Sequence, residues 1–211
     1  MAVSFVAVGA VATGANPTVA VPAGYAAGDT LIIVTTGTAT TTTPSGWTLL
    51  SAQGSGTFST IFYKTATASE SSVALTNAGT STIAVMIDYR GVSSLQPVAS
   101  YSTTLTTNTL TTPTANAYVL SVYAAGAPIV AGTWTAPAST TVRVNTPGVR
   151  SASAGLLIVD ELQVAAGIST ARTAGLTQVG GAISTVAISL NPPYYLNISG
   201  VTIGSGVTLG G

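Results

Sequence analysis

Five acidic side chains (Asp29, Glu70, Asp88, Asp160 and Glu161) and five basic ones (Lys64, Arg90, Arg143, Arg150 and Arg172) are all the ionic chemistry this 211-residue sequence holds. It has no His and no Cys. The commonest general base and the strongest side-chain nucleophile are therefore missing, and a Ser-His-Asp triad cannot be built. Two carboxylates can cleave a glycosidic bond when they flank it. The one adjacent pair, Asp160-Glu161, closes an apolar run; in a strand its side chains point to opposite faces, so it reads as a pair of solvated charges. Calcium needs clustered oxygen ligands, and no D-x-D-x-D run occurs. Asp88 and Arg90 stand two apart and read as a local pair on one strand face; Asp29 reads as a turn residue bonded to its own backbone. No glycine-rich phosphate loop with Lys appears. These residues predict no catalytic site, no cofactor and no metal.

Aromatic and hydroxyl side chains leave binding open. Trp47 and Trp134 each follow a turn and open a strand. A buried Trp brings on the order of 200 Å² of apolar area, so one per half could anchor the core. The alternative is an exposed platform for a sugar ring, a role open also to Tyr25 and Tyr101. The stretches 35–43 and 102–114 are dense in Thr and Ser, but they are irregular and meet Pro44 and Pro113, so they read as loops or edge strands.

The elements that must position these groups are strands. Ile83, Val85, Ile87 and Tyr89 alternate with Ala84, Met86, Asp88 and Arg90, which sends the two sets to opposite faces. Comparable runs cover 4–8, 31–35, 47–52, 59–65, 98–102, 118–124, 140–144, 156–160 and 183–190. Gly, Pro, Asn and Thr separate them, and no amphipathic helical stripe occurs. This pattern predicts an all-β antiparallel sandwich, jelly-roll-like, over residues 1–191. A weak internal repeat divides it into halves of about 1–95 and 96–191. Segments 28–34, 44–48, 59–64 and 81–85 are followed in the same order by 116–122, 132–135, 154–160 and 181–186.

Charged residues are 5% of the chain and balance to zero, where an ordinary domain carries roughly a quarter. Few charges and no net charge favour association. Five scattered basic residues do not make a nucleic-acid or anionic-membrane surface. No apolar run approaches the roughly 18 residues of a spanning helix, and the first residues lack the basic start of a secretory signal. After Asn191-Pro192-Pro193 the chain changes character. Residues 192–211 form an uncharged, Gly-rich extension that carries Tyr194, Tyr195, Leu196, Ile198, Val201, Ile203, Val207 and Leu209. Two fates are open to this segment: a strap that adds a strand to a neighbouring subunit, or a return onto its own sandwich.

The order Val21-Pro22-Ala23-Gly24, Gly28-Asp29-Thr30-Leu31-Ile32, Pro44-Ser45-Gly46-Trp47-Thr48, Phe62-Tyr63-Lys64 and Asp88-Tyr89-Arg90-Gly91 resembles a β-sandwich module of bacteriophage virion structural proteins. Trp134 and the closing Ala187-Ile188-Ser189-Leu190-Asn191-Pro192 fit the same pattern, so the resemblance covers about residues 3–192. It implies a virion location, assembly with itself (a homotrimer) and with other virion proteins such as the major capsid protein, and no enzymatic activity. A capsid decoration or cement protein is the first expectation. A tail-fibre or receptor-binding module that touches host glycans is the second.

Overall fold

The computed structural model describes residues 2–54, 58–102, 104–126, 132–147, 155–177 and 183–193. The first half carries β1 (Ser4–Val8), β2 (Ala12–Gly14), β3 (Thr18–Val19), β4 (Thr30–Gly37), β5 (Thr48–Gly54), β6 (Phe58–Thr65), β7 (Val73–Ala74) and β8 (Thr82–Arg90). The second half carries β9 (Ser94–Ser102), β10 (Thr111–Thr112), β11 (Ala117–Ala125), β12 (Trp134–Thr135), β13 (Thr141–Thr146), β14 (Gly155–Gln163), β15 (Gly167–Ile168), β16 (Gly175–Leu176) and β17 (Ile183–Asn191). All pairing is antiparallel, and no helix occurs among the described residues. Every strand expected from alternation is present.

Each half builds its own sheet. The first runs β1-β8-β4-β6-β5, with β2 added beside β8; the second runs β9-β17-β11-β14-β13. Replacing β1, β8, β4, β6 and β5 by β9, β17, β11, β14 and β13 converts one order into the other. Registers follow the same exchange. Ile32 and Val34 face Ile87 and Val85 across β4 and β8, as Leu120 and Val122 face Ile188 and Val186 across β11 and β17. A bulge falls at one equivalent place in each sheet. Leu50 is the extra residue of β5 against β6, and Arg143 is the extra residue of β13 against β14. A two-stranded ribbon, β3 with β7 or β10 with β15, also recurs, while β12 with β16 is particular to the second half.

The two sheets pack face to face as a sandwich. Their shared core takes Ile32, Val34, Ile61, Val85 and Ile87 from the first and Leu120, Val122, Ile158, Val186 and Ile188 from the second. The outer faces are covered as well. Leu31, Ile33, Phe62, Ala84 and Met86 lie under Val19 and Leu75, and Tyr123, Leu157 and Val159 lie with Leu105, Trp134 and Ala174. Central strands buried on both faces read as continuous apolar runs, which is why β4 spells Leu31-Ile32-Ile33-Val34. The alternation in β8 therefore separates two buried sets rather than a buried set from a wet one.

Candidate functional site

The ionic side chains are almost all spent on one another. Lys64 Nζ lies 2.8 Å from Glu70 Oε2, Arg90 Nη2 2.7 Å from Asp29 Oδ2, and Arg143 Nε 2.8 Å from Asp160 Oδ2; Arg172 pairs with Glu161. Of the described acidic and basic residues Asp88 alone has no ion pair, and neither of its carboxylate oxygens has a hydrogen-bond partner. Arg150 lies outside the described residues.

Two expectations from sequence are corrected here. Asp160 and Glu161 do point to opposite faces of β14, but neither is a solvated charge. Asp160 is 1% exposed and faces the inter-sheet core, where it accepts a 2.6 Å hydrogen bond from Tyr89 Oη of the opposite sheet. Glu161 is held on the outer face by Arg172. A short charged side chain can be kept inside only if it is paired and hydrogen-bonded, and sequence spacing could not reveal partners 17 or 71 positions away. Asp88 and Arg90 do not pair. Arg90 instead grips Asp29 with two nitrogens, Nε to Oδ1 at 2.8 Å and Nη2 to Oδ2 at 2.7 Å. Asp29 also accepts the Ala26 N–H at 2.7 Å, the local turn bond read from sequence. The Arg90 hydrogen bond, against the cost of burial, holds the Asp29 carboxyl below its ordinary value. Burial, then the charge of Asp29, pushes Asp88 up to about 6.

The network at Asp160 joins the sheets. The Arg143 guanidinium lies 3.7 Å from the centroid of the Phe5 ring, and Tyr89 stands edge-on to Phe5 at 5.7 Å and tilted to Tyr118 at 5.9 Å. Burial, reinforced by the Asp160 carboxylate, holds the Tyr89 hydroxyl well above the ordinary phenol range, so it serves as a donor.

The tryptophans part company. Trp134 is buried in the outer cluster of the second sheet, and its indole N–H donates to the Thr146 carbonyl at 3.2 Å. Trp47 is half-buried at the head of β5. It packs partly on the outer cluster of the first sheet and lines a groove of about 390 Å³ with Pro44, Lys64, Glu70, Ser72 and Val73. By sheet register its counterpart is Thr140, not Trp134, because Leu49 corresponds to Val142. Tyr25 is no open platform: its hydroxyl accepts the Glu70 N–H at 2.8 Å. Tyr101 lies on β9 opposite Ser184. Residues Tyr194, Tyr195, Leu196, Ile198, Val201, Ile203, Val207 and Leu209 lie outside the described residues, as does the choice between strap and return. No group of three or more acidic side chains that could hold a metal occurs among the described residues, and no helix there is long and apolar enough to cross a membrane. Set against protein-family models, curated proteins and solved structures, the chain finds no match in any of the three.

Proposed function

We propose that this chain is a non-enzymatic structural protein of a bacteriophage particle, a decoration or cement protein that works through the surfaces it buries against other subunits. One observation carries the reading: among the described residues every Lys, Arg and Glu, and every Asp but Asp88, is bound in an internal ion pair. Such pairing leaves Ser, Thr, Ala and Gly to meet the surroundings, a surface with little charge to hold identical copies apart. Among the described residues it also leaves no unpaired carboxylate or amine side chain for proton transfer outside the buried Asp88. The partners are further copies of itself, as a homotrimer, and the major capsid protein. The extension 194–211 acts as the strap between them.

The test is to raise antibodies to the chain and label purified particles for electron microscopy, with copy number from quantitative mass spectrometry. Hundreds of copies spread over the shell are expected. A few dozen at the tail would replace this reading with a tail receptor-binding module, the reading that the half-exposed Trp47 and its groove favour. Absence from particles would end both.

A further inference from the structure

We infer that the groove beside Trp47 is a binding site for an uncharged glycan, with a sugar ring laid against the indole. The inference depends on no position of the protein in a particle. The ring is presented by a fixed turn: the Trp47 N–H donates to the Pro44 carbonyl at 3.1 Å, and Gly46 supplies the left-handed backbone conformation the turn needs, with φ of 79°. The groove, at about 390 Å³, falls in the range of small-ligand pockets, roughly 300–1,000 Å³.

Its chemistry is that of sugar recognition. One wall is an aromatic ring, suited to the C–H face of a pyranose. Around it stand the exposed hydroxyls of Thr43, Ser45, Ser71 and Ser72, none of which is engaged by another described side chain or backbone group. Hydroxyls of this kind both donate and accept, as sugar hydroxyls do. The two ionic groups of the groove cancel. Lys64 Nζ is 2.8 Å from Glu70 Oε2 and 5.8 Å from the Trp47 ring centroid. Glu70 Oε1 is also taken, accepting the Thr67 N–H at 2.7 Å and the Thr67 hydroxyl at 2.9 Å. Burial alone would raise the Glu70 carboxyl, but the hydrogen bonds from Lys64 and Thr67 outweigh it and hold it below its ordinary value, so it stays ionised. A neutral site with no free cation selects neutral sugars over sialylated or sulfated ones. A carboxylate with every strong partner filled is no general acid, so the site binds and does not cleave.

The repeat sharpens the point. The fold asks for no aromatic side chain here, since the equivalent position in the second half is Thr140. Lys64, on β6, has Glu161 as its counterpart on β14, paired there with Arg172. The partners come from different places, Glu70 before β7 and Arg172 after β15, and only the first half adds Trp47 beside its pair.

The experiment uses the full chain and NMR of the two indole N–H signals, with neutral malto-, cello- and manno-oligosaccharides and a sialyllactose as probes. A shift of the Trp47 signal with at least one neutral series, with Trp134 unmoved, is expected. Trp47→Ala should weaken that binding about tenfold or more. Ser72→Tyr fills the groove from an exposed position and should weaken it likewise, which keeps the test intact should Trp47→Ala misfold. No shift up to about 10 mM of any neutral probe, a response to sialyllactose alone, or unchanged binding in Ser72→Tyr would overturn the assignment. None of these results bears on copy number in a particle, so the two readings fail separately.

Discussion

Asp88 is the residue most exposed to pH, although it touches no solvent. Its carboxyl is pushed up to about 6 from an ordinary 3.8, because burial and the neighbouring Asp29 oppose ionisation. A raised folded value means that the stabilising contribution is complete below about pH 4 and is lost as pH rises through about 6. The loss reaches on the order of 3 kcal/mol. Asp88→Asn should therefore be more stable than the parent at pH 8 by up to that amount, and the difference should close by pH 4. Urea unfolding at pH 4, 6 and 8 measures it; a constant offset across the three would refute the assignment. Arg143 gives the opposite lesson. Arg143→Leu leaves Asp160 buried with Tyr89 as its remaining donor, which should cost about 3 kcal/mol or more. Adding Asp160→Asn should recover part of that loss, because the stranded charge is gone. If the double variant is no better than the single one, the cost lies in packing against Phe5 rather than in the charge.

At the scale of elements, the equivalent bulges show how one backbone device serves two chemistries. An extra residue turns its side chain out of the strand's alternation. In β5 that residue is Leu50, which packs on the inter-sheet core; in β13 it is Arg143, which reaches Asp160 and Phe5. Deleting Leu50 removes the bulge while Leu49 and Ser51 keep Phe62 and Ile61 as partners, so the later residues of β5 stay on their faces and the core loses only the Leu50 side chain. The connection between sheets is as constrained. Gly91 follows β8 with φ of 78°, and a Cβ there would come within 2.7 Å of the Ala2 carbonyl oxygen. Both conformation and space thus demand glycine. Gly91→Ala should destabilise by about 2 kcal/mol or more, read as a fall in the thermal midpoint. A variant that melts with the parent would show that the joint yields.

For the molecule as a whole, the sandwich covers both faces of each sheet and pairs every described charge but Asp88 internally, and the function proposed above assigns association to the surface that remains. The variant lacking residues 194–211 should keep the β spectrum and thermal midpoint of the parent while sedimenting as a monomer, with the full chain as a trimer. A truncated chain that still forms trimers would move the contacts to the sandwich itself. The strand class and every strand of the two sheets but the short β2 were legible in the sequence, because alternation and turn residues act over a few positions. The poverty of proton-transfer chemistry was equally plain, since composition fixes it. The ribbons such as β3 with β7 were not legible: two-residue pairs such as Thr18 with Ala74 are specified by what they cover. Nor were the long-range polar pairs. Asp29 with Arg90 and Tyr89 with Asp160 are separated by 61 and 71 positions and meet only when strands fall into register. The two tryptophans looked alike in sequence, and packing alone made Trp134 a core residue and Trp47 the wall of a groove. Local pattern sets which way a side chain points; what waits for it there is set by a chain segment arriving from far along the sequence.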